Sequence, residues 1–333
     1  MNRRALGVLG LAAVLLLTLA AWLHFADERV SGLDDPLLPG LRGEFAELST
    51  LRVSAPGPEV VATLELRGER WVVAERDDWP ADTRRLRELL LTLAEARRVE
   101  PRTGNPAQWP RLGVAPMEDA AASGIELALE TPTGPVTLVI GNVDGPYTNV
   151  RLNREPTAWL VSGVLRPARS TGEWLDPAVP DLTAAGIATV TIRHPDGEQV
   201  RLQRQTEDAN DVSVLEIPDG RRLLHATIAS ATLGALSTLR VEELARRDSV
   251  FDEGSAPVSI ELETFGGETF RLLALTDDDG PWLTVDLPED TAATLGLTAS
   301  LQPLAGRALR IPRHRFDQLT RRMEDLLAPT ADD

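Results

Sequence analysis

Alternating apolar and polar positions dominate the chain from residue 51 onward. Val60-Val61-Ala62-Thr63-Leu64-Glu65-Leu66 is β-prone, Arg67-Gly68-Glu69 supplies a turn, and Trp71-Val72-Val73 returns, so a hairpin is expected. The period then changes. Asp82 can accept from the first free backbone N–H groups of a helix, and Leu86, Leu89, Leu90, Leu93 and Ala94 recur at helical spacing up to Arg97. Pro101 disfavours helical backbone at Glu100, so "RRVEP" (Arg97 to Pro101) reads as extended. After a Pro/Gly-rich loop, "IELALE" (Ile125 to Glu130) and "VTLVIG" (Val136 to Gly141) flank a turn. "DGPYTNVRL" (Asp144 to Leu152) and "TAWLVSG" (Thr157 to Gly163) complete a meander.

The series then restarts. Ile187 to Gln205 predicts a hairpin around Pro195-Asp196-Gly197. A helix is expected near Leu223 to Ser237, with Leu224, Ile228, Ala231 and Ala235 in register. "LRVE" (Leu239 to Glu242) echoes "RRVE" (Arg97 to Glu100), and Val258 to Leu275 predicts a hairpin over Gly266-Gly267. "DGPWLTVDL" (Asp279 to Leu287) repeats the earlier phrase. A strand at Arg307 to Pro312 and an amphipathic helix at Arg315 to Leu327 close the pattern. Ile125-Glu126-Leu127 precedes Ile260-Glu261-Leu262 by 135 positions, and Asp144-Gly145-Pro146 precedes Asp279-Gly280-Pro281 by the same 135. Nine of 28 residues are identical over that gapless match, which points to internal duplication.

The expected fold is therefore α+β, with two tandem modules of antiparallel sheet plus helix. The first module is placed at residues 51–177 and the second at 178–330, divided near the Pro-rich "DPAVPDL". Residues 1–25 form the expected transmembrane signal-anchor and 26–50 a tether. The nineteen residues Ala5 to Leu23 would span about 28 Å as a helix, close to a bilayer's hydrocarbon thickness. Arg3 and Arg4 would stay cytoplasmic, which puts the body of this single-pass protein in the periplasm or at the cell exterior.

Composition narrows the chemistry. There is no cysteine, so thiol nucleophiles, disulfides and cysteine metal sites are excluded. There is no lysine either, since all 34 basic side chains are arginine, which excludes a Walker-type phosphate loop and a Schiff-base lysine. The net charge of −17 argues against nucleic acid as a partner. His24, His194, His225 and His314 show no metal-ligand spacing, and no nucleophile elbow or dinucleotide glycine motif is present. The Asp-Gly pairs in "GNVDG" (Gly141 to Gly145) and "TDDDG" (Thr276 to Gly280) read as turn chemistry rather than a calcium loop. No catalytic, cofactor-binding or metal residue is assigned, and no cofactor is expected. Trp71, Trp159 and Trp282 lie in strands and read as core. Trp79 and Trp109 each precede proline at a loop edge and are the candidate exposed interaction residues.

The phrases "ERWVVAERDDWPADTRRLRELLLTLAEARRVE" (Glu69 to Glu100), "RLGV" (Arg111 to Val114), "VTLVIGNVDGPYTNVRL" (Val136 to Leu152) and "TAWLVSG" resemble the bacterial envelope proteins carrying domain-of-unknown-function 4340. The second copy lacks a counterpart to the Trp71–Trp79-Pro80 spacing. The resemblance implies one N-terminal anchor, a repeated hairpin–helix–hairpin body and an accessory role beside ABC-type transporters of the gliding-motility or auxiliary-export kind. The function expected is a non-catalytic scaffold component of such a complex, with the bilayer and transport subunits as partners. The alternatives are a periplasmic glycan- or small-ligand-binding module using Trp79 or Trp109, and an Asp/Glu-dependent hydrolase.

Overall fold

The computed structural model describes residues 32–183, 186–207, 211–286 and 301–329. The expected anchor, residues 1–25, lies outside them. Among the described residues no helix is long and apolar enough to cross a membrane.

Period-2 patterning gives strands wherever it is sustained. The first series is β1 (Thr50–Ala55), β2 (Glu59–Arg67), β3 (Arg70–Val73), β4 (Trp79–Pro80), helix α1 (Thr83–Glu95), β5 (Arg98–Thr103), β6 (Ile125–Thr131), β7 (Gly134–Asp144), β8 (Tyr147–Leu152) and β9 (Ala158–Ser162). The second is β10 (Ile187–Arg193), β11 (Gln199–Arg204), β12 (Val212–Val214), α2 (Ser230–Ser237), β13 (Glu243–Arg246), β14 (Val258–Thr264), β15 (Thr269–Asp277), β16 (Gly280–Asp286), β17 (Arg307–Arg310) and α3 (Arg313–Leu319). The result is two antiparallel sheets with few helices, an α+β organisation that is mostly sheet.

Topology carries the duplication. The nine-stranded sheet has the order β4-β3-β2-β1-β6-β7-β8-β9-β5, and the eight-stranded sheet β12-β11-β10-β14-β15-β16-β17-β13. Leaving aside the two-residue β4, each strand of one order has its counterpart at the same place in the other. Ile125, Leu127 and Leu129 of β6 are buried, as are Ile260, Leu262 and Thr264 of β14, 135 positions on.

Ladder register shows that the gapless match conceals two compensating changes. Ile125 pairs with Ile140, whereas Ile260 pairs with Leu272, so β15 enters three residues earlier than the 135-residue offset requires. Ile140 pairs with Val150 and Leu272 with Val285, which restores the offset by β16. The two Asp-Gly-Pro phrases consequently turn at different residues. The first turns over Gly145-Pro146, between paired Asp144 and Tyr147, with Gly145 at φ +60°. The second turns over Asp278-Asp279, between paired Asp277 and Gly280. There Asp277 Oδ1 accepts from the backbone N–H groups of Asp279 at 2.9 Å and Gly280 at 3.0 Å, and from the Trp282 indole at 2.9 Å.

Helical periodicity holds in α1, which buries Leu86, Leu89, Leu90 and Leu93. It fails in two places, and one strand is also displaced. α2 begins only at Ser230, because Leu224 is engaged in extended pairing, donating its N–H to Leu326 at 2.9 Å. The expected C-terminal helix is broken into α3 and a single turn, Met323–Leu326. The "LRVE" echo precedes its strand, which runs Glu243–Arg246.

The chain forms two compact units. Of the described residues, one takes in those up to Ala74 and Thr83–Arg169; the other takes in Glu75–Asp82 and those from Ser170 onward. The division near residue 177 expected from the prolines thus falls earlier, and the second unit claims an eight-residue segment from within the first series.

Candidate functional site

Trp79 belongs to that eight-residue segment and is not an exposed platform. It is only 3% exposed. Its indole N–H donates to the Asp176 carbonyl at 2.9 Å, and the Arg307 guanidinium lies 5.5 Å from the ring centre. Asp82 N–H donates to the Trp174 carbonyl and Asp176 N–H to the Pro80 carbonyl, both at 2.8 Å. The ring therefore serves the packing of the second unit, and the expectation of solvent exposure is corrected. A proline after tryptophan bends the chain but does not determine which side of it meets solvent.

Trp109 is half-buried at the start of the one-turn helix Trp109–Leu112. It packs on Val114, Met117, Val139 and Ala158. The guanidinium of Arg151, on β8, lies 4.2 Å from its ring centre, so one face of the indole is already occupied. Arg151 is itself 5% exposed and donates from Nε to the Val114 carbonyl at 2.9 Å. Burial pushes its pKa down, while the Glu126 carboxylate acts in the opposite sense. Among the described residues the buried Trp109 indole N–H and Asn149 carbonyl oxygen have no hydrogen-bond partner.

The "RLGV" phrase is seated by backbone contact. A Cβ on Gly141 would lie 2.2 Å from the Leu112 carbonyl oxygen, and one on Gly124 would lie 2.2 Å from that of Gly113. Gly113 has φ +72° and closes the short helix. Asn142 Nδ2 donates to the Arg111 carbonyl at 3.0 Å, and Asn149 Nδ2 to the Asn142 carbonyl at 2.9 Å. These residues hold the loop on the bulged stretch of β7, and none presents an activated nucleophile or base.

Among the described residues each unit carries an open groove. The second-unit groove, of about 380 Å³, is lined by Glu75, Arg76, Asp77, Arg246, Ser249 and Arg307 among others. Most of its charge is already engaged. Arg76 Nε donates to Glu243 at 2.7 Å, and Arg307 donates to the Asp77 carbonyl at 2.7 Å. Asp77 and Asp78 hold φ of +49° and +59°, a strained pair for side-chain-bearing residues. The first-unit groove, of about 340 Å³, is lined by Phe45, Glu69, Trp71, Thr83, Leu86, Arg87 and Leu90. Trp71 reads as core from the sequence, yet here it is half-buried and forms a groove wall. The available signal is its place immediately after the Gly68-Glu69 turn, where the ladder pairs Arg67 with Arg70 and Leu66 with Trp71.

His194 is buried, with Nε2 3.4 Å from the Arg321 carbonyl. Among the described residues no group of three or more His, Asp or Glu side chains could hold a metal ion.

The family model described as Domain of unknown function (DUF4340) matches residues 71–257, more than half of the chain. The chain belongs to this family. No curated protein matches it, and no solved structure does either. The DUF4340 match begins at the groove residue Trp71 and includes the Glu75–Asp82 segment, α1, the "RLGV" seat and Arg151. It ends just before β14. Its most distinctive phrases are therefore occupied in the packing contacts described above.

Proposed function

We propose that this DUF4340 protein is a non-catalytic accessory or scaffold component of an ABC-type transport or envelope complex. It would be held in the inner membrane by residues 5–23, with its body in the periplasm. The observation that carries this reading is the use to which the distinctive residues are put. Trp79, Arg151, Gly124 and Gly141 lock backbone and rings into two sheets of one topology. A frame of that kind supports docking rather than turnover, because reactive groups in an enzyme site are held ready for substrate instead of for carbonyls and rings. The all-arginine, strongly acidic composition adds a surface suited to protein partners and ill-suited to nucleic acid.

Affinity capture of the full chain from detergent-solubilised membranes, with chemical cross-linking beforehand, tests the reading. Cross-linked permease or ATPase subunits of a transporter are expected, and deletion of residues 1–25 should release the body from the membrane fraction. A chain recovered repeatedly alone, or one whose membrane association ignores that deletion, would refute it.

A further inference from the structure

The first-unit groove has features that the docking reading does not use. Leu86 and Leu90, one turn apart on α1, are buried at its base. Trp71 from β3 and Phe45 from the 3-10 turn Phe45–Glu47 are its aromatic walls, both half-buried. Four polar groups share this lining: the Glu69 carboxylate, the Thr83 hydroxyl, the Arg87 guanidinium and the Trp71 indole N–H. Among the described residues none of the four makes a hydrogen bond or ion pair. Arg84 and Arg85, on the same helix, are both engaged.

The lining selects a ligand class. One carboxylate and one guanidinium leave the groove without net charge, so neither an anion nor a cation is favoured outright. A wholly apolar ligand would take four unpartnered polar groups out of water. A peptide side chain could occupy the aromatic walls but would leave the spread of donors and acceptors unmatched. A pyranose ring meets both demands, having an apolar face of C–H groups to lay on an indole and an edge of hydroxyls that donate and accept. The volume of about 340 Å³ lies at the small end of ligand clefts, which run about 300–1,000 Å³, and suits one or two sugar units. We propose that the groove between α1 and the β2–β3 hairpin is a saccharide site, with the ring stacked on Trp71 and its hydroxyls held by Glu69, Thr83 and Arg87.

Titration calorimetry on the full chain, in a detergent without a sugar headgroup, tests this. The probes are N-acetylglucosamine, its di- and trisaccharides, cellobiose, maltose and, as the competing ligand class, N-acetyl-phenylalanine amide. At least one saccharide should bind with a dissociation constant on the order of 1 mM. Glu69→Gln and Arg87→Gln, both at exposed rim positions, should each weaken it about tenfold while leaving the circular dichroism unchanged. Trp71→Ala should abolish it. The proposal is overturned if no saccharide binds, if binding ignores the two rim substitutions, or if only the phenylalanine amide binds.

Discussion

Single atoms decide much of this structure. The Gly141 position has no space for a methyl group, since its Cβ would lie 2.2 Å from the Leu112 carbonyl oxygen and 2.8 Å from a Val114 methyl. Gly141→Ala is therefore expected to cost about 3 kcal/mol or more, through displaced backbone rather than through any loss of contact. Urea denaturation would register this as a lowered midpoint with unchanged slope, and an unchanged midpoint would contradict it. The same scale shows where sequence reading fails. Trp79 and Trp71 stand eight residues apart, and their environments are the reverse of what local patterning suggests. Trp79 finds its carbonyl partner 97 residues away, a relation no local window contains. Trp71 alternates correctly for a strand, but alternation says only that a residue faces one side. It does not say whether that side is filled. Trp109 was legible as a residue at a loop edge, whereas the guanidinium on its face comes from a strand 42 positions on.

Elements were the most legible level. The hairpins follow from period-2 runs bounded by Gly, Pro and Asp, and α1 from its leucine spacing, because each signal is local and strong. The C-terminal helices were not legible, since tertiary pairing overrides propensity there. Leu326 and Leu327 are buried while their backbone joins residues 222–224 in extended pairing. Charge ties this segment down. Arg322 bonds both Asp196 at 2.8 Å and Glu198, and Arg221 donates to Glu324 at 2.6 Å. The backbone N–H of Glu198, with Arg322 beside it, holds the Asp196 carboxyl below its ordinary 3.8, and Arg221 holds Glu324 below its ordinary 4.5. A depressed carboxylate stabilises the folded state above its unfolded pKa, and that contribution is lost as pH falls through the folded value. Acidification from about pH 6 to about pH 3 should therefore raise amide exchange at residues 196–198 and 322–328 before it does so in β6 and β8. Uniform exchange across those segments would contradict this.

At the level of the whole chain, duplication is visible in the 135-residue echo, and the shared strand order confirms it. The echo also misleads, because it is gapless only where a three-residue shortening and a three-residue lengthening cancel. No composition or spacing signal marks Glu75–Asp82 as part of the second unit. The segment has a measurable consequence. A fragment of residues 170–333 lacks Trp79, and a peptide of residues 75–82 should stabilise it increasingly as the peptide concentration rises. Addition of that peptide should raise the fragment's Tm, and no response would refute its role.

The same segment matters during synthesis. Trp79 leaves the ribosome 97 residues ahead of the carbonyl that receives its N–H, and Asp77 leaves 230 residues ahead of Arg307. At about 5–20 residues per second, the indole travels uncovered for about 5–20 s before Asp176 appears, and the wait for Arg307 is longer. For that interval the nascent chain carries a tryptophan whose resting place does not yet exist. Completion of this unit therefore waits on residues made long after Trp79.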